Sequence, residues 1–178
     1  MKLYVVRHGQ TDWNARNVMQ GNTDIPLNQI GKEQAMNIQK SLQNEIIDIC
    51  ISSPLTRAYE TASIICNNKV NIEIDKRLIE RFLGELEGKT VDLYNSELYW
   101  DYSLNSNDQG VERVQDLLAR VTSFYNDLVS KYNDETVLIV AHGAVVRALH
   151  FVINGYNHDT KFLEFDVPNC CCFTYEIN

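Results

Sequence analysis

Hydrophobic positions along the chain follow two rhythms. Short continuous apolar runs, rich in β-branched residues, predict buried strands at residues 1–6, 46–52 and 136–141. A shorter strand is predicted at 71–74 and two late ones at 162–165 and 171–177. Between them the spacing turns helical. Asn28 caps a helix of roughly 15 residues with Ile30, Ala35, Ile38 and Leu42 near helical spacing, and Gly31 is tolerated in its first turn. After 46–52, Ser53 reads as an N-cap and Pro54 as the first residue of a second helix. Residues 112–132 carry Val114, Leu117, Leu118, Val121, Phe124, Leu128 and Val129 as one apolar stripe, and 144–153 form a last helix. Residues 90–100 are weakly helical. Residues 101–110, rich in Asn, Ser and Asp, read as an exposed, mobile connection.

This alternation gives three strand-then-helix units, and right-handed crossovers keep their strand ends on one edge of a parallel sheet. Each unit brings chemistry to that edge: Arg7 and His8 after the first strand, Arg57 after the second, His142 and Gly143 after the third. Gly9 allows a sharp turn and leaves room for a ligand to approach the main chain. Thr11, Asp12 and Asn14 suit a loop or helix start. Two arginines, one or two imidazoles, the Asn14 amide and helix N-termini form a set suited to a phosphate dianion, with His8 as nucleophile and Arg7 orienting the anion.

Bulk composition narrows the reading. The 178 residues argue for one domain, and a chain of this size buries roughly 70% of the surface its unfolded form exposes. A net charge of -8 argues against nucleic acid or an anionic membrane as partner, so a local pocket of arginines must hold any anion. The 5 cysteines, Cys50, Cys66 and Cys170 to Cys172, match neither a disulfide framework nor a metal signature, and they read as small buried hydrophobes in a reducing compartment. No apolar run reaches the ~20 residues of a membrane span. No signal peptide precedes Arg7 and His8, and the expected location is cytoplasmic.

The segment Val6-Arg7-His8-Gly9-Gln10-Thr11-Asp12-Trp13-Asn14 resembles the opening signature of the histidine phosphatase superfamily, which includes the cofactor-dependent phosphoglycerate mutases. The resemblance continues at Gln20-Gly21-Asn22-Thr23-Asp24-Ile25-Pro26-Leu27 and at Gly31. It returns at Ser53-Pro54-Leu55-Thr56-Arg57-Ala58-Tyr59-Glu60-Thr61-Ala62, at Leu78-Ile79-Glu80 with Gly84 and Gly88, and at Val140-Ala141-His142-Gly143, in family order. It implies an α/β fold of three layers, α/β/α, around a mixed, mainly parallel sheet. It also implies His8 as the phosphate-accepting nucleophile, with Arg7, Asn14, Arg57 and His142 on the phosphoryl group and Glu80 as general acid and base. Gln20, Gly21, Thr23 and Gly143 fall in the same blocks as substrate-binding candidates. No metal and no cofactor are implied, because the arginines supply the positive charge. Glu85 and Glu87 compete with Glu80 in the same loop, and Glu80 is preferred for its place after Leu78-Ile79.

Phe82-Leu83 stands where a mutase has a His-Tyr pair, and a lid-like insertion at about 90–110 offers aromatic and acidic side chains with only Lys89 at its edge. That lid is poorly suited to gripping a small polyanion, so hydrolysis of a small phosphomonoester is expected over 2-/3-phosphoglycerate interconversion. A non-catalytic phosphate-binding domain is the third reading, and His8, Glu80 and His142 all speak against it. The family's Gly-Glu-Ser element is replaced by Val111-Glu112-Arg113. Tyr94, Tyr99, Trp100 and Tyr102 either face a partly apolar substrate or pack the lid onto the core. Sugar phosphates, nucleotides and ribazole phosphate all stay open as substrates. His150 and His158 match no motif and read as a helix-face and a loop residue. A sheet edge near residues 173–177 offers a surface for a homodimer.

Overall fold

A computed structural model describes residues 1–177. Its sheet has five strands: β1 (Lys2–Arg7), β2 (Ile49–Ser52), β3 (Ile72–Ile74), β4 (Thr136–Ala141) and β5 (Cys172–Glu176), in the spatial order β3-β2-β4-β1-β5. All neighbours are parallel except β5, which runs antiparallel to β1 along the edge. The helices are α1 (Asp12–Ala15), α2 (Gln29–Ser41), α3 (Thr56–Cys66), α4 (Ser96–Trp100), α5 (Val114–Lys131) and α6 (Gly143–Asn154).

The strand pleat explains the three layers. Successive side chains point to opposite faces, so Leu3 and Val5 of β1 join Val137, Ile139 and Ala141 of β4 in one core, packed under α5 and α6. Tyr4 and Val6 join Leu138 and Val140 in a second core, covered by Ala58, Ala62 and Ile65 of α3, with α2 lying on α3. Because both faces are buried, the strands read as unbroken apolar runs rather than alternating ones. Among the described residues no helix is long and apolar enough to cross a membrane.

Several local expectations change. Asn28 does cap α2, its side chain accepting from the Gly31 amide at 2.9 Å. Ser53 does not cap α3, and Pro54 lies ahead of the helix: α3 begins at Thr56, and Leu55 occupies the N-cap without a side-chain bond. Asp24 takes over from a distant loop, accepting from the Thr56 amide at 2.8 Å and the Thr56 hydroxyl at 2.7 Å. Residues 162–165 are not a strand. β5 already fills the open edge of β1, and Phe162 is instead buried in a 3₁₀ turn, edge-on to Phe151 and beside Trp100. The last strand starts at Cys172 because Cys170 adopts a left-handed backbone, φ 53°. Residues 101–110 are largely exposed, as expected, yet pinned: Asn105 accepts from the Gln115 amide at 3.0 Å and so caps α5 from outside. The cysteines split, Cys50 and Cys66 being buried and Cys170 to Cys172 only half-buried.

Gly9 and Gly31 serve each other. A Cβ on Gly9 would strike the backbone of Gly31, and one on Gly31 would strike the carbonyl of Gln10. The room at Gly9 is therefore taken by α2, not by a ligand, and Gly31 is required rather than tolerated. Gly31→Ala is expected to destabilise the fold by about 1–3 kcal/mol, the cost of overpacking against main chain that cannot rotate away. A urea melt with an unchanged midpoint would refute the close approach.

Candidate active site

The parallel order β2-β4-β1 puts the carboxyl ends of three strands side by side, and His8, Ser53 and His142 follow those ends. The His8 amide donates to the Ala141 carbonyl at 2.9 Å, tying the first strand exit to the third. The His8 and His142 rings lie 5.1 Å apart, tilted by 59°. His8 Nδ1 is 2.7 Å from the Gly9 carbonyl oxygen. A carbonyl only accepts, so Nδ1 carries the hydrogen and Nε2 presents its lone pair. Ser53, displaced from its expected capping role, bonds His142 Nε2 through its hydroxyl at 2.7 Å.

Both imidazoles are buried, and burial holds their pKa values well below the ordinary histidine range. The Arg57 and Arg7 charges push in the same direction, so both rings are neutral near pH 7. Arg57 is fully buried and donates to the carbonyls of Gly21 at 2.7 Å and Thr23 at 2.8 Å, while burial lowers its pKa to about 10. Arg7 donates to the Val167 carbonyl and lies against Gly143, where a Cβ would meet its guanidinium at 3.5 Å. Asn14 spends its carbonyl oxygen on Thr11 and Asn169, which leaves its Nδ2 without a partner among the described residues. Glu80 accepts from the Ala144 amide at 3.2 Å, at the positive N-terminal end of α6.

These groups enclose a cavity of about 340 Å³. Arg7, His8, Asn14, Gln20, Gly21, Arg57, Glu80 and Gly143 line it, so the predicted set converges. Two members stand behind the wall. His142 touches the site through His8, and Thr23 holds the frame, its carbonyl on Arg57 and its hydroxyl on Glu87. Glu87 is a clamp for this loop, accepting from Asn22, Thr23 and Leu83, rather than a rival to Glu80. Glu112 is likewise occupied, paired with Arg120 at 2.7 Å. The lid aromatics divide: Tyr94 and Trp100 line the cavity, Tyr99 is buried among Met19, Leu86 and Val111, and Tyr102 packs against Tyr156. His150 stacks on Phe165 at 3.6 Å, and His158 is exposed.

Sequence reasoning missed four residues. Arg81, Arg147 and Asp166 line the cavity, and Asn169 donates to the His8 carbonyl at 3.2 Å. Arg147 was within reach, because it sits four residues after Gly143 and so on the same helix face. Arg81 follows Glu80 directly, and nothing in the pattern shows that it is buried. Asn169 comes from the C-terminal segment, brought alongside β1 only by β5 pairing.

Fold and site together define an α/β/α enzyme whose cavity gathers arginines around a neutral histidine at the strand ends. The chain belongs to the histidine phosphatase superfamily (branch 1), whose family profile it matches over residues 3–178. It is 35% identical over 178 residues to the "uncharacterized phosphatase PhoE" of Bacillus subtilis, covering 97% of this chain and 86% of that one. It is 30% identical over 211 residues to a 2,3-bisphosphoglycerate-dependent phosphoglycerate mutase of Gloeothece citriformis, covering 94% and 88%. A mycobacterial glucosyl-3-phosphoglycerate phosphatase, solved with VO3, superposes with a TM-score of 0.86 at 28% identity, covering 97% of this chain and 91% of that one.

Proposed function

We propose that this chain is one catalytic domain that hydrolyses small phosphomonoesters through a phosphohistidine on His8. The observation that carries the reading is the free Nε2 of a neutral His8 in a cavity whose arginines keep unused donors: Arg7 Nε, Arg57 Nε and Arg81 Nη1 are buried without partners among the described residues. A buried polar nitrogen left unbonded costs about 1–3 kcal/mol, so such a cluster marks a place where an anion belongs.

The chemistry balances in two steps. Nε2 attacks phosphorus, the ester P–O bond breaks, and Glu80 gives its proton to the leaving oxygen. The Glu80 carboxylate then takes a proton from water, whose oxygen attacks phosphorus as the P–N bond breaks, releasing phosphate and neutral His8. Arg7, Arg57 and the Asn14 amide stabilise the phosphoryl oxygens as charge redistributes, with His142 beside them. Free cysteines are in keeping with a cytoplasmic location, and β5, which among the described residues pairs only with β1, leaves an edge for a homodimer.

Hydrolysis of p-nitrophenyl phosphate in EDTA, run beside a 2-/3-phosphoglycerate interconversion assay, tests the reading. Turnover in EDTA with little interconversion is expected. Interconversion outpacing hydrolysis would make the chain a mutase.

A further inference from the structure

We propose that Asn169, on the segment leading into β5, is a positioning residue: it holds the Asn14 carboxamide with its nitrogen turned toward the phosphoryl group. The proposal rests on the phosphatase reading above, in which that nitrogen meets the phosphoryl oxygens.

Residues 167–171 fasten the His8 loop from outside. The Val167 carbonyl accepts from the Arg7 side chain, the Cys170 amide donates to the His8 carbonyl at 3.2 Å, and the Arg7 amide donates to the Cys171 carbonyl at 3.2 Å. Asn169 stands among these bonds and reaches in with its side chain. Its Nδ2 donates to the His8 carbonyl at 3.2 Å and to Asn14 Oδ1 at 3.3 Å, with the Gly9 carbonyl farther off at 3.5 Å. The two hydrogens of one nitrogen therefore bridge the main chain of the nucleophile and the side chain of Asn14. That bridge sets the separation between the two.

His8 is held without it. Cys170 donates to the same carbonyl, and the His8 amide is fixed on the Ala141 carbonyl at 2.9 Å. The Gly9 carbonyl likewise keeps His8 Nδ1 at 2.7 Å. Asn14 is different. It belongs to α1, a helix of 4 residues, far too short to be stable alone. Among the described residues its Oδ1 has one other partner, Thr11, the N-cap of that same turn, at 3.1 Å. Thr11 ties Asn14 to its own turn, whereas Asn169 ties it to the strand end that carries His8. A carboxamide has nearly the same shape either way round, so the donors on its oxygen decide which end faces the cavity. Turned over, Asn14 would aim an oxygen at the phosphoryl anion and withdraw a donor from it. Two donors from segments 158 positions apart, Thr11 and Asn169, hold it the right way.

A double-mutant cycle in p-nitrophenyl phosphate hydrolysis separates positioning from general support. Asn169→Ala leaves each acceptor with another donor, so the protein should fold, while kcat/KM falls about tenfold, the scale of one hydrogen bond to a charged group. Asn14→Ala should lose at least as much. The double variant should match Asn14→Ala within about twofold, because Asn169 then has nothing left to aim. A loss that came from a weakened fold would persist in the Asn14→Ala background. Should Asn169→Ala fail to fold, Asn169→Asp keeps the shape but can only accept when ionised, and it too should lower kcat/KM by about tenfold or more. Calorimetric titration of inorganic phosphate into the proteins of the cycle repeats the comparison without turnover, so the positioning is tested even if the phosphatase reading fails. Losses that multiply in the double variant, or wild-type turnover and phosphate affinity in either Asn169 variant, would overturn the proposal.

Discussion

His8→Ala is expected to lower phosphomonoester turnover by roughly 10⁴-fold or more, because no neighbouring group replaces the attacking lone pair and only the binding donors remain. His142 cannot substitute: its Nε2 is held by Ser53, and its ring sits behind that of His8. The same variant should change stability in a way that a passive core residue would not. In the folded protein, burial and then the Arg57 and Arg7 charges keep the pKa values of His8 and His142 far below the ordinary value of 6.5. Unfolded, each titrates near about 6.5. Below that pH the unfolded chain binds more protons than the native one, so stability falls as pH drops, by up to about 1.4 kcal/mol per pH unit for each histidine. Above pH 6.5 the contribution is flat. Removing His8 should therefore shrink the loss of melting temperature between pH 8 and pH 5, measured without phosphate. Parallel pH profiles for wild type and variant would mean that His8 takes up its proton as readily in the fold as in the unfolded chain, and that burial does not hold it neutral. Retained turnover would remove the phosphohistidine altogether.

Glu80→Gln should cost about 10²–10⁴-fold on alkyl phosphates, whose alkoxide leaves poorly without a proton. The loss in the first step should be much smaller for p-nitrophenyl phosphate, because p-nitrophenolate departs unaided. The second step still lacks its base with either substrate. Glu80→Gln should thus release one equivalent of p-nitrophenol in a burst and then stall as the phosphoenzyme. The glutamine oxygen keeps the bond to the Ala144 amide, so the loop that carries it should hold. Equal losses on both substrates with no burst would leave Glu80 as a phosphate-positioning group and reopen the identity of the acid. Glu87 is then an unsuitable heir, since its carboxylate already accepts from Asn22, Thr23 and Leu83.

Motif residues were legible wherever function and local chain geometry coincide. Arg7-His8-Gly9 and His142-Gly143 are strand ends, and a strand that stops on a charged or imidazole side chain declares both its boundary and its chemistry. Glu80 was placed by family pattern, and the cavity contains it. Capping was less legible. Ser53-Pro54 has the local chemistry of a helix start, yet the Ser53 hydroxyl went to His142 and the cap to Asp24, 32 residues away. A side chain's bonding capacity is printed in the sequence, but the partner that claims it is not.

The sequence by itself determined the α/β alternation, the core stripe of α5, the convergence of strand ends and the superfamily, because each follows from local periodicity or contiguous motifs. Only the tertiary structure decided that Gly9 and Gly31 make room for each other, that Asn169 reaches the His8 loop, and that Arg81 and Arg147 flank Trp100 within one cavity. Those features join residues 22 to 161 positions apart, and burial of a charged side chain depends on what packs over it rather than on its neighbours in the chain.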